Sequence, residues 1–310
     1  ESGALERAGF RSAGRACRAA DSDLSGGEDA PAGAGEVSFD WILELVRQVW
    51  EAKEIDILPA HALITIAKNG GLVLGAYAPD GPPESDGMVG IALGWPGLMQ
   101  GQDGRPILKH CSHQVGVMPG WRGKGIGFRL KLAQREAIIA QGATELATWT
   151  YDPLQRVNAA FNIHRLGATS NTYMRDVYGE LDDAHNAGMP TDRLQVDWSL
   201  TSARVKTAVA PKRQCRTWNL DEMEVLHSQP AVGVRRPGMK DLRLEGAPVA
   251  VPIPDSVIAL RERDMQVLLE WRLFLRSVFE QAFAAGYVLI DCTELPHKEW
   301  CYIMTRPLQK

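Results

Sequence analysis

The segment that most constrains this chain is residues 108–142. The run 108–117 reads as a strand and is stopped by Pro119-Gly120. Three glycines follow within five residues (Gly123, Gly125, Gly127), and a helix-period stretch over 126–141 ends at Gly142. A strand that turns through glycines into a helix must lie in a sheet with that helix packed across it. Upstream, 72–78 and 88–95 flank a Pro/Gly-rich connection and predict a hairpin. Helices are expected near 41–50 and 61–67. Downstream the pattern predicts a strand at 145–151, a helix to 166 closed by Gly167, and strands at 168–177 and 194–200. Strands therefore pair before any crossover begins. The expected fold class is a layered mixed α/β (α+β) fold, with a mostly antiparallel sheet flanked by helices, and not a doubly wound one.

The turn has a chemistry of its own. The first amides of a helix lack internal partners and carry the positive end of its dipole. Glycine lets an anion approach those amides without Cβ interference, and Arg122 and Lys124 add positive charge. A pyrophosphate-bearing ligand fits this description. The spacing excludes two common versions. Phe128 follows Gly127, so the Walker lysine-hydroxyl pair is missing, and the glycines run G-x-G-x-G rather than G-x-G-x-x-G. What fits is R-x-x-G-x-G, carried by Arg122, Gly125 and Gly127.

On these residues the chain resembles the GNAT acetyltransferase superfamily over about 37–200. The resemblance implies acetyl-CoA as co-substrate, with no metal. Arg122, Gly123, Lys124, Gly125, Ile126 and Gly127 would hold its pyrophosphate, and backbone groups of Val115 and Val117 its pantetheine arm. The second half of the family pattern is looser. Arg156 stands where an Asn is usual and Ile163 where a Tyr usually serves as the acid. Asn158 and Asn162 share a helix face, and either is a candidate for a pantetheine contact, Asn158 being the one assigned to the site.

Acetyl transfer to an amine needs a base near neutral pKa and stabilisation of the departing thiolate. Strand alternation puts Cys111, His113, Val115 and Val117 on one face, which makes His113 the preferred base. Cys111 reads as a small buried side chain. Tyr173, with Tyr178 behind it, is the candidate acid. For the acceptor, Arg193 beside Asp192 and Arg272 on a long helix offer carboxylate-binding groups, although an ion pair or a solvated charged face accounts for them equally well.

Composition bounds the rest. With 45% hydrophobic residues in 310, the chain has ample core, and a net charge of -4 argues against nucleic acid as partner. No apolar run is long enough to cross a membrane. Five scattered cysteines without a C-x-x-C pair suggest neither a zinc knuckle nor a disulfide framework and fit a reducing cytoplasm. Residues 1–36 are expected to form a disordered tail, 37–200 the GNAT-like domain, 201–214 a linker and 215–310 an α+β extension shaping the acceptor side. Within the extension one long helix is expected from Pro254-Asp255 to Gly286. Its W-R-x-x-x-R-x-x-F segment, like P-T-D-R-L-x-V-x-W before it, resembles a bacterial GNAT branch with such an extension. The expected function is direct acetyl transfer to the amine of a small-molecule acceptor. The alternatives are a longer acyl-CoA, a hydroxyl acceptor, or a non-catalytic acyl-CoA sensor or scaffold.

Overall fold

A computed structural model describes residues 9–12, 39–50, 57–101, 103–181, 186–213, 216–238 and 242–307. The chain divides into two compact units, Glu1–Ala147 and Thr148–Lys310.

In the first unit, β1 (Gly9–Ser12), β2 (Leu72–Tyr77), β3 (Met88–Gln100) and β4 (Pro106–Val117) are consecutive neighbours, each pair antiparallel. Apart from β1, the tail expected over 1–36 lies outside the described residues. The hairpin β2–β3 is where the two apolar runs predicted it, and both strands are buried along their shared length. Helices α1 (Phe39–Trp50) and α2 (Ala60–Lys68) cover one face of this sheet. Ile42, Leu45, Val46 and Leu63 pack there against Val73, Ile91 and Leu93. On the opposite face lies α3 (Ile126–Gln141), whose ends are both set by glycine in the left-handed region, Gly125 before it and Gly142 after it.

The second unit holds strands in the order β5 (Leu146–Tyr151), β7 (Arg193–Ser199), β6 (Thr169–Met174), β12 (Val288–Glu294), β13 (Trp300–Thr305), β11 (Val249–Pro252) and β8 (Glu224–Val225). β6–β7, β6–β12, β12–β13 and β11–β13 are antiparallel, whereas β8–β11 is parallel. A separate hairpin pairs β9 (Ser228–Ala231) with β10 (Val234–Pro237). The fold is thus mixed α/β with a mostly antiparallel sheet and flanking helices.

Three elements differ from the sequence expectation. The helix after β5 is short, α4 (Arg156–Ala159), and continues as a π-turn over Ala160–Arg165, where the Leu166 amide reaches back five residues to the Phe161 carbonyl at 2.9 Å. Within the stretch read as a linker, α5 (Ala203–Val209) forms, capped by Ser202, whose Oγ accepts from the Val205 amide. Gly167 is required beside it, because a Cβ there would come within 2.7 Å of Ala208 Cβ. The single long helix is two, α6 (Val257–Arg263) and α7 (Met265–Ala284). Asp264 is extended between them and caps α7 by accepting from the Val267 amide.

Candidate active site

The β3–β4 ladder carries a one-residue irregularity. Leu93 pairs with Gln114 and Gly94 with Ser112, leaving His113 as the extra residue of a β-bulge. A bulge interrupts side-chain alternation, and this corrects the shared face expected for Cys111, His113, Val115 and Val117. On the α1/α2 side, Trp95 pairs with Cys111, and the His113 ring lies 4.7 Å from the Trp95 ring, tilted by 41°. Beyond the bulge the parity is reversed. Val117 pairs with Gly90, where a Cβ would touch Ile126 and Leu130 of α3, so Val117 and Val115 face α3. His113 is therefore on the opposite face from the two valines. Its ring is exposed at the edge, and partial burial lowers its pKa below the ordinary 6.5, so the imidazole is neutral at pH 7.

The turn after β4 is open. Gly123 and Gly125 hold φ of 77° and 75°, and a Cβ on either would meet nothing within 4 Å. Among the described residues, the backbone amides of Gly123, Lys124, Gly125, Ile126 and Gly127 donate to no protein group. These five amides lie at the positive end of a four-turn helix, in a turn where Gly123 and Gly125 have no neighbouring atoms on their Cβ side. The Arg122 side chain turns away from this space. It donates to the carbonyls of Val117 at 3.1 Å and Val49 at 3.2 Å, tying the end of β4 to the last turn of α1. Lys124 lies with Nζ 4.2 Å from the centroid of the Trp121 ring.

Beneath the turn, between β4 and α3, sits a polar cluster that sequence reasoning missed. Lys131 Nζ, fully buried, donates to Ser112 Oγ at 2.9 Å and Gln134 Oε1 at 2.8 Å, while Gln134 Nε2 lies 3.3 Å from His110 Nε2. Burial holds the Lys131 ammonium well below its ordinary pKa. Burial, and Lys131 after it, bring His110 down to about 4. The signal was available: Lys131 and Gln134 are three residues apart on α3 and face His110 and Ser112, the alternate residues of β4.

In the second unit, the remaining candidates are built into one network. Asp192 is completely buried. Its carboxylate accepts from Arg276 at 2.7 and 2.8 Å, from the Tyr173 hydroxyl at 2.7 Å and from the Asp176 amide at 3.0 Å. Burial would raise the Asp192 pKa, but these donors outweigh it and hold it below the usual 3.8. Tyr173 also stacks on Phe279, and burial together with Asp192 raises its pKa far above 10. Arg272, with only 2% of its surface exposed, donates to Asp152 at 2.8 Å and approaches the Asp192 carbonyl at 3.4 Å. Arg193 is buried too, bonded to the Asp192 carbonyl and Asn186 and lying over the Tyr178 ring. Arg272 is thus no part of a solvated charged face, and the guanidinium groups of both acceptor candidates are engaged with protein oxygens. Asn158 is exposed on α4, whereas Asn162 is buried and accepts from Trp149 Nε1 at 3.2 Å. Ile163, at the position where the resemblance implies a Tyr, is core.

No protein-family model and no curated protein matches this chain. Solved structures do match, among them three acetyltransferases. An aminoglycoside 6'-acetyltransferase of type Ii aligns at 14% identity and a TM-score of 0.39, over 53% of this chain and 90% of its own. Arabidopsis thaliana NAA60, solved with a bisubstrate analogue, aligns at 10% and 0.42, over 51% and 91%. The Escherichia coli ribosomal-protein-S18-alanine N-acetyltransferase aligns at 12% and 0.37, over 53% and 88%. Identities and TM-scores are all low, so the functional reading rests on this chain's own residues.

Proposed function

We propose that the chain is an acetyltransferase of the GNAT type that takes acetyl-CoA and passes its acetyl group directly to the amine of a small-molecule acceptor. The observation that carries this reading is the row of five backbone amides from Gly123 to Gly127 that have no protein acceptor among the described residues, in an open turn before α3. Such a cradle suits a pyrophosphate: it supplies donors and a helix dipole without a side chain in the way. Arg122 supports the cradle by fixing the end of β4 rather than by touching the ligand. Lys124, held over Trp121, adds positive charge to the turn. Val115 and Val117 continue from the cradle along β4 on the α3 side.

In the transfer, the acceptor nitrogen attacks the thioester carbonyl, the C–N bond forms, the C–S bond breaks and the sulfur leaves as thiolate. The amine must shed a proton. His113 is suited to take it, because it is neutral at pH 7, exposed at a bulge that turns it out of the ladder, and backed by Trp95. Tyr173 is less suited to reprotonate the thiolate. Its hydroxyl hydrogen is committed to Asp192, and its raised pKa makes it a weaker acid. Water is the simpler proton source.

Calorimetric titration with acetyl-CoA, followed by thiol release across an amine panel, tests the proposal. Saturable binding at micromolar Kd or tighter and amine-dependent CoA release support it. Absent binding refutes it, and binding without release under any amine favours an acyl-CoA sensor.

A further inference from the structure

We infer that the second unit contains a metal-binding site for zinc(II) or a similar borderline cation, formed by His227, His297 and Glu299. Neither the sequence reading nor the proposed transfer uses these residues, and the sequence reading expected no metal. The three side chains bring their ligand atoms within 4.8 Å of one another. Glu299 Oε2 lies 3.4 Å from His227 Nδ1 and 3.0 Å from His297 Nε2. A tetrahedral ion bound at about 2.0–2.1 Å separates its ligand atoms by about 3.3 Å, so the preformed spacing needs little change.

Two further observations point to a ligand. The first is His297 Nε2, which is buried from solvent and makes no well-aligned hydrogen bond although it lies 3.0 Å from Glu299 Oε2. An imidazole nitrogen that close to a carboxylate oxygen without a well-aligned hydrogen bond is an arrangement that a shared cation would satisfy. The second is the division of labour on Glu299. Its Oε1 is saturated by the Ser228 amide at 3.2 Å, Ser228 Oγ and Arg235 Nη2 at 2.8 Å. That fixes the carboxylate's orientation and leaves Oε2 aimed at the two imidazoles, as outer-shell donors do around metal ligands.

The backbone is arranged to the same end. The β12–β13 hairpin turn carries Lys298 in the left-handed region, φ 68°, an unfavourable place for a side chain other than Gly or Asn. This turn sets His297 and Glu299 beside each other on the site, and the residue just before β9 brings His227 from a distant part of the chain. Imidazole and carboxylate together favour zinc, nickel or copper over magnesium or calcium. Three protein ligands leave a fourth position for water or a small anion, next to a cavity of about 210 Å³ lined by Arg235, Trp271 and Lys298.

The test uses the full chain with any affinity tag removed. Zinc(II) titrated calorimetrically should bind with one-to-one stoichiometry, raise Tm, and lose that gain on chelation. Cobalt(II) should give visible d–d bands of a four-coordinate site. His227→Ala, at an exposed side chain that folding does not need, should weaken binding roughly 100-fold, and His297→Ala should do the same. His61→Ala serves as the control and should leave binding unchanged. Magnesium should not compete. Wild-type protein that fails to bind zinc overturns the assignment, and so does binding that survives both histidine substitutions.

Discussion

Gly125→Asp separates the two ways in which the turn before α3 could matter, and its effects can be worked out beforehand. Gly125 sits at φ 75° as the N-cap of α3, and a Cβ added there would have nothing within 4 Å. A Cβ there meets no atom within 4 Å, so the substitution costs the folded state only the strain of a left-handed non-glycine residue, about 1–2 kcal/mol. In a unit of this size that lowers Tm by about 3–8 °C, and the protein stays folded at 25 °C. Binding should suffer much more. A carboxylate about 4 Å from a phosphate charge costs about 1 kcal/mol in bulk water and about 4 kcal/mol at an effective dielectric of 20. The turn is exposed, which favours the lower end, but a pyrophosphate presents two such charges. About 2–4 kcal/mol results, a loss of roughly 30- to 700-fold in acetyl-CoA affinity. Gly125→Ala supplies the steric part alone and should fall between wild type and Asp. Calorimetry against acetyl-CoA and against acetyl-pantetheine, which lacks the pyrophosphate, gives the assay. The penalty should appear for the first ligand and not the second. A folded Gly125→Asp protein with wild-type acetyl-CoA affinity would refute the cradle assignment.

Replacing His113 with Ala should lower kcat about 10²- to 10⁴-fold and leave the Kd for acetyl-CoA nearly unchanged. The wild-type rate should rise with pH through a value below 6.5, since His113 can accept a proton only when neutral, and that limb should vanish in the variant. Tyr173→Phe removes one hydrogen bond to Asp192 and should cost about 1 kcal/mol of stability with kcat intact; a collapse of kcat at unchanged Tm would return the hydroxyl to the chemistry. Asp192→Asn leaves half-buried Arg276 without its counter-charge and should cost about 1–3 kcal/mol, because solvent still reaches the guanidinium, read by urea unfolding. Because the folded Asp192 carboxyl titrates below 3.8, its contribution is complete above that value and is lost as pH falls through the lower folded pKa. Acid unfolding of wild type should therefore steepen below about pH 4, and Asp192→Asn should flatten that slope.

Much of the fold was legible because its signals are local. Glycine marks both ends of α3, and the apolar runs of β2 and β3 flank a turn-rich connection, so α3 and β2 fall within a residue or two of where the pattern put them, whereas β3 starts as expected but runs five residues further, to Gln100. The break in the long C-terminal helix was legible in principle. Asp264 is a favourable N-cap, but the apolar stripe continues on both sides of it and conceals the interruption. The π-turn at Ala160–Arg165 leaves no mark in periodicity. One extra backbone residue per turn shifts side chains by less than the scatter of an amphipathic pattern.

The candidate site shows where such reading stops. Alternation assigns faces only while the ladder stays in register, and a single bulged residue reverses the parity of everything beyond it. His113 is that residue, so the sequence pattern placed it with Cys111 correctly and with Val115 and Val117 incorrectly. Charge offers a second example. Arg272, Arg276 and Glu280 are spaced for one face of a helix, and that spacing fits a solvated surface as well as a binding site. What decides between them is the partner, and the partners Asp152, Asp192 and Arg175 lie 80 or more residues away. An arginine facing a buried aspartate already has its anion. By contrast, the amides of Gly123 to Gly127 have no such distant partner among the described residues, and their emptiness is a local property that the glycines themselves impose. The cradle could therefore be read from sequence and the arginines could not: one needs only its own backbone, whereas the others are defined by what the rest of the fold brings to them.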